Sequence, residues 1–282
     1  AGRAGRLGPG RCLRLFTEAD LRSRPAFAPP EILRSDLTEA ALLLHGLGWG
    51  GGRTLPWFEA PPVEAWEAAE RLLERLGAFD AEGRLSELGH RLKDIPLHPR
   101  LARLVVAGEA MGVGWEAKRL AALLEVGELR RRLELGRKRS EPGPVLTCDL
   151  WQDWDAYEAV ERQGFRSDAV GRHGLDGAAL GQVRKVLSAL GVGSTTDRDP
   201  VRSHNDVDER LRKALLMAFP DRGARRGGSG TYTLLGGGGA RLAPESRVGS
   251  PDYLLALAVE RVGRETHIRS AASLEPEWLL EA

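Results

Sequence analysis

Ala78-Phe79-Asp80-Ala81-Glu82-Gly83-Arg84-Leu85 reads as strand, turn, strand, with apolar ends and Asp, Glu and Gly where the chain must reverse. Two helical patterns precede it. Pro61-Pro62 opens the nearer one, whose stripe is Trp66, Ala69, Leu72, Leu73 and Leu76. Gly77 then sits where a helix end favours a left-handed residue. Pro29-Pro30-Glu31 opens the farther one, with proline in the first turn and an acid near the positive dipole end. Its stripe is Leu33, Leu37, Ala40, Ala41, Leu44 and Leu47, and Gly46 and Gly48 stop it. Gly50-Gly51-Gly52 reads as loop. The phosphate-loop reading of these glycines is weak, since no Gly-Lys-Ser/Thr follows.

Helix, helix, small hairpin is the outline of a winged helix over 29–94. Such a motif contacts nucleic acid in some proteins and is a rigid spacer in others; topology does not choose between them.

Downstream of Pro96 the spacing predicts helices over 99–111, 114–127, 146–163, 176–190 and 206–219, an antiparallel bundle over 95–220. Residues 164–174 and 191–205 read as loops. After Pro220 the period changes. Thr231–Leu235, Ala240–Leu242, Tyr253–Val259 and Thr266–Arg269 read as strands, with Gly236 to Gly239 as a hairpin turn. A small β-rich domain is expected over 221–282.

Upstream, Gly2-Arg3-Ala4-Gly5-Arg6 places two arginines three apart, each behind a glycine. Glycine lets backbone approach a ligand, and guanidinium pairs bidentately with phosphate. Cys12-Leu13-Arg14-Leu15-Phe16 alternates like the last strand of a domain over 1–28, and Thr17-Glu18-Ala19-Asp20 reads as a helix cap.

Net charge is +1 and apolar residues make 42% of the chain, an ordinary globular balance and no polycation. The charge is unevenly placed. Residues 1–34 hold seven arginines, and Arg130, Arg131, Arg132, Arg137, Lys138 and Arg139 form a second cluster. Arg210, Arg212, Lys213, Arg222, Arg225 and Arg226 form a third. Each reads either as a phosphate-tracking patch or as a solvated face. Cys12 and Cys148 are the only cysteines, too few for a disulfide framework or a structural zinc site, and they fit a reducing cytoplasm. The six histidines show no ligand pair at i, i+4, so no metal site is expected. No run reaches the ~18 apolar residues of a membrane span. Trp151 and Trp154 share a helical face, suited to packing or to stacking a base.

Several of these stretches together resemble the C-terminal part of DEAH-box ATP-dependent helicases, bacterial HrpB type. The matching residues are Gly2–Arg6, Pro30-Glu31-Ile32-Leu33-Arg34-Ser35-Asp36-Leu37, Leu47-Gly48, Leu85–Gly89, Pro96-Leu97-His98-Pro99-Arg100-Leu101 and Ala218-Phe219-Pro220-Asp221-Arg222. The resemblance covers nearly the whole chain. It implies a mainly α fold with small β elements: the end of a second RecA-like domain (1–28), a winged helix (29–94), a ratchet-like helical bundle (95–220) and a β-rich terminal domain (221–282).

The same resemblance matches Arg3 and Arg6 to the two arginine fingers of the ATP site and Gly2 and Gly5 to its spacer glycines. It implies ATP and Mg2+ in a longer parent, and RecA-like lobes, phosphate loop and acidic box upstream of Ala1. Single-stranded nucleic acid, RNA first, is the implied partner, with Arg130, Arg131 and Arg132 as candidate contacts. This sequence has no Gly-x-x-x-x-Gly-Lys-Ser/Thr and no acidic box, so it is expected to be catalytically silent alone and to bind no cofactor. The alternative is a free-standing winged-helix nucleic-acid-binding or adaptor module without an ATPase link.

Overall fold

The hairpin at 78–85 narrows, in a computed structural model of the chain, to one bridge between Phe79 and Leu85. The structure describes residues 5, 8–25, 27–50, 52, 55–130, 144–193 and 204–281. Asp80 shapes the turn: its Oδ1 accepts from the backbone N–H of Glu82 at 3.0 Å and of Arg84 at 2.9 Å. Gly77 has φ +77°, the left-handed residue that lets the preceding helix stop.

Helix α1 (Glu18–Ser23) starts where expected, with Thr17 Oγ1 accepting from Asp20 N–H at 3.1 Å. The strand expected over Cys12–Phe16 is not formed; Leu13 and Leu15 are 89% and 96% exposed. A strand needs a neighbouring edge to bond to, and no described strand pairs with these residues. The single helix expected from Pro29 is split into a 3₁₀ turn, Glu31–Leu33, and α2 (Thr38–Gly46). Asp36 causes the restart, since its Oδ1 accepts from Thr38 N–H at 2.8 Å, a local bond that competes with helix continuation.

Helices α3 (Val63–Arg75) and α4 (Glu87–Asp94) complete the winged helix. Ser86 Oγ caps α4 by accepting from Gly89 N–H at 2.9 Å. The core here joins Leu37, Ala41 and Leu42 of the α2 region to Trp66, Leu73 and Leu76, and to Leu92.

Helix α5 (Pro99–Ala110) turns Ala102 and Val106 into that core and Leu101, Leu104 and Val105 into the next. Two apolar faces of this kind let one helix serve two cores. Around it pack α6 (Gly114–Val126), α7 (Leu150–Arg162), α8 (Ser167–Arg172), α9 (Gly177–Ala189) and α10 (His204–Ala218). Helix α8 lies in a stretch expected to be loop; six residues are too few for periodicity to show.

The chain then forms a closed barrel from β1 (Gly223–Arg226), β2 (Tyr232–Leu234), β3 (Gly239–Leu242), β4 (Tyr253–Val262) and β5 (Glu265–Ser273), in the order β1-β2-β3-β5-β4. β1 was not expected from sequence, because Gly-Ala-Arg-Arg lacks β-branched or aromatic residues and owes its form to pairing on both edges. The glycine run is the β2–β3 turn, as expected. A last helix, α11 (Trp278–Glu281), follows. Leu255, Leu257, Ala272, Leu274 and Trp278 belong to the bundle core, so bundle and barrel share apolar packing. Asp149 pins the two polar surfaces together. Its carboxylate accepts from Ser246 Oγ (2.7 Å), Arg247 N–H (2.6 Å) and Ala271 N–H (2.9 Å).

Candidate nucleic-acid interface

The segment Pro96–Leu101 begins α5, and its polar side chains reach in two directions. Pro99 occupies the first helical turn, where a missing N–H costs nothing. His98 caps the helix with Nδ1, which accepts from Arg100 N–H at 3.2 Å. That assigns the ring hydrogen to Nε2, 3.6 Å from Asp36 Oδ2 at the start of the winged helix. His98, together with the two bonds from Thr38, outweighs partial burial and holds the Asp36 carboxyl well below the usual aspartate range.

Arg100 reaches the other way. Its Nη1 and Nη2 donate to Asp221 Oδ1 and Oδ2 at 2.6 and 2.8 Å, a planar fork on a carboxylate 121 positions later. Burial works to raise Asp221, but the Arg100 bonds and charge prevail, and its carboxyl lies below the ordinary range. Phe219 packs against the guanidiniums of both Arg100 and Arg222, at 5.4 and 5.5 Å from its ring centre. Arg222 donates onward to Leu257 O at 2.8 Å. Pro-Leu-His-Pro-Arg and Phe-Pro-Asp-Arg are therefore two halves of one joint, tying winged helix, bundle and barrel together.

Two clefts open beside this joint and share Asp221 as a wall. One of about 380 Å³ lies between α3 and the joint, with Asp36, Arg71, Arg75 and Arg100 among its lining residues. The other, about 360 Å³, is bounded by Arg222, Gly236, Gly237, Ala256 and Val259.

Other residues singled out from sequence are placed as follows. Gly2, Arg3 and Arg6 lie outside the described residues, as do Arg131 and Arg132. Gly5 is an exposed turn residue with φ +88°. Arg130 is exposed and held by Asp153, Nε to Oδ1 at 3.1 Å. Much of the third basic cluster is spent on structure. Arg212 is buried, bonded to Asp208 at 2.9 Å and to Ser273 O at 2.9 Å, and Arg210 donates to Met111 O at 2.8 Å. Of the tryptophans offered for base stacking, Trp154 is buried against Trp115 and Trp151, and Trp151 Nε1 donates to Asp208 at 2.6 Å. Both serve packing here.

Sequence reasoning missed Arg119. It is buried under Trp115, Trp154 and Tyr157, with its guanidinium 4.7, 5.4 and 4.9 Å from their rings, and pairs with Glu158 and Glu161. The tryptophan spacing was legible, but the cation they enclose was not. Among the described residues no cluster of three or more His, Cys, Asp or Glu could hold a metal ion. No helix among them is long and apolar enough to cross a membrane.

Residues 69–97 match the family described as Helicase associated domain (HA2), winged-helix. The ATP-dependent RNA helicase HrpB of Escherichia coli (strain K12) is 32% identical over 260 residues, 91% of this chain and 26% of the relative. The pre-mRNA-splicing factor ATP-dependent RNA helicase prp22 of Schizosaccharomyces pombe is 33% identical over 296 residues, 100% of this chain and 25% of the relative. The crystal structure of the E. coli DExH-box NTPase HrpB superposes with a TM-score of 0.62 at 26% identity, over 99% of this chain and 30% of that one. A winged helix, a helical bundle and a small barrel locked at one joint are thus the arrangement this chain shares with the C-terminal region of DEAH-box helicases. The likeness to HrpB extends over 91% of the chain in sequence and 99% in structure. The chain spans about a quarter of the length of these two relatives, at 26% and 25%.

Proposed function

We propose that this chain is the C-terminal region of an ATP-dependent RNA helicase, in which it supplies arginines to the ATP site and guides a single strand. In this reading residues 1–28 end the second RecA-like domain, 29–94 form the winged helix, 95–220 a ratchet-like bundle, and 221–282 the terminal barrel. The observation that carries it is the likeness to the solved HrpB structure over 99% of the chain, all modules included. An isolated winged-helix adaptor gives no reason for the bundle and barrel to follow.

ATP with Mg2+ is the substrate of the parent. The residues present do not hold it alone, since the sequence has neither a phosphate loop nor a magnesium-binding acidic box. What this chain offers is Arg3 and Arg6. A guanidinium beside the γ-phosphate stabilises charge that grows in the transition state, an effect worth roughly three to five orders of magnitude in rate. Gly2 and Gly5 let the backbone approach. Arg130, with Arg131 and Arg132, serves as a contact to strand phosphates, and the site of action is the cytoplasm.

The test is Arg6→Ala in the complete helicase. Steady-state ATP hydrolysis should fall by about 10³ or more, while nucleotide binding measured by calorimetry is kept. Unchanged turnover removes Arg6 from that role. The 282-residue chain alone should hydrolyse no ATP, with or without RNA.

A further inference from the structure

We propose that the two clefts meeting at Asp221 form one track for the phosphate backbone of a single strand, with Arg71 and Arg75 as its cationic wall. The proposal rests on the strand-guiding reading above and names the residues that perform it.

The distribution of charge comes first. Both acids in the first cleft are already engaged: Asp36 accepts from Thr38 N–H and faces His98, and Asp221 is gripped by Arg100. The arginines are less committed. Arg71 has a loose contact with Glu67 at 3.6 Å, both side chains well exposed, worth little in water. Arg75 makes no ion pair among the described residues. The two are one helical turn apart and so lie on one face of α3. The cleft therefore presents two loosely held arginines, while Asp221 is paired with Arg100 and Asp36 keeps its charge but has its oxygens engaged by Thr38 and His98.

Shape comes second. Ala65, Ala68 and Ala69 line the α3 side of the cleft with Arg71 and Arg75, and their small side chains leave it open. Across Asp221, the second cleft is bordered by Gly236 and Gly237, where an added Cβ would meet nothing within 4 Å. A glycine turn lets another backbone approach closely. Volumes of about 380 and 360 Å³ lie within the ~300–1,000 Å³ range of ligand pockets.

Chemistry comes third. Neither lining contains an aromatic ring, so there is no platform on which a base could stack. Guanidinium groups without stacking partners select phosphate rather than base, so binding along the track is indifferent to sequence and sensitive to salt. The joint at Asp221 fixes the two clefts to each other, so the strand crosses from winged helix to barrel over a rigid bridge.

The test uses the full chain and fluorescein-labelled 20-nucleotide poly(U) and poly(A), by anisotropy across a salt series. Removing two phosphate contacts with Arg71→Gln/Arg75→Gln should lower the affinity and flatten the log–log salt slope by about 1.4, at ~0.7 per contact for single strands. Gly236→Leu places a side chain in the second cleft without a left-handed φ, and should weaken binding while leaving the slope near that of the parent chain. Arg166→Gln/Arg172→Gln, on exposed arginines far along the sequence, should change neither. Poly(U) and poly(A) should bind alike. Thermal melts establish that each variant is folded. If the unmodified chain binds neither strand at low salt, the strand-guiding reading fails. If it binds both and the α3 double variant keeps its affinity and slope, the track fails and the strand lies elsewhere. Competition by an acidic peptide but not by RNA would assign the clefts to a protein partner and overturn the proposal.

Discussion

Removing either half of the Arg100–Asp221 fork tests whether the joint holds the modules together. The pair makes two charge-assisted hydrogen bonds of 2.6 and 2.8 Å, each worth ~1.5–3 kcal/mol when made between well-placed groups. Arg100 also lies over Phe219 at 5.4 Å, adding about 0.5–1 kcal/mol. The side chains are 11% and 27% exposed, so water reaches Asp221 and reduces the penalty of leaving it alone. Arg100→Ala should therefore destabilise by about 3 kcal/mol, Asp221→Ala by about 2, and the double variant by about 3, giving a coupling near 2 kcal/mol. Urea unfolding, followed by tryptophan fluorescence and far-ultraviolet circular dichroism, measures all four corners of the cycle. A coupling below about 0.5 kcal/mol would place the pair with ordinary surface ion pairs and refute the joint as a structural device.

Acid should act on the same joint. Asp221 and Asp36 have folded values below the ordinary aspartate range, so their contribution is full above that range and is lost as pH falls through the folded values. Asp221→Asn should accordingly show a shallower loss of stability than the parent chain in melts below the aspartate range, and a parallel loss in the two would sink the linkage. Gly108→Ala should destabilise by about 2–3 kcal/mol in thermal melts, because its Cβ would come within 2.2 Å of Ala117 Cβ where α5 and α6 cross. Asp149→Ala should cost about 3 kcal/mol or more, since it strands the N–H groups of Arg247 and Ala271; hydrogen exchange at Ala271 would speed up if that is right.

Much of the chain could be read locally. The stripes of α3, α5, α6, α9 and α10 repeat every three to four residues, and that spacing is enough to make and orient a helix. Thr17 and Gly77 mark helix ends by their own chemistry, and the glycines after Leu235 mark a turn. The motif Pro96–Leu101 was visible as a string of letters. What it does was not visible, because the partner of Arg100 lies 121 residues away and that of His98 lies in another module. Pairing across such distances is fixed by how α5 is wedged between two cores, and no local period carries that information. The same holds for the arginines. A run of basic residues looks alike whether it faces water or carbonyl oxygens, and only the packed structure showed Arg212 and Arg222 bonded inside while Arg75 stands open. β1 and α8 formed because neighbours supplied hydrogen bonds and apolar surface that their own four and six residues could not. The strand expected at Cys12–Phe16 stayed unformed because no described strand edge pairs with it. Sequence determined which segments are amphipathic and where they stop; tertiary structure decided which charges are neutralised, and therefore which are left to meet a ligand.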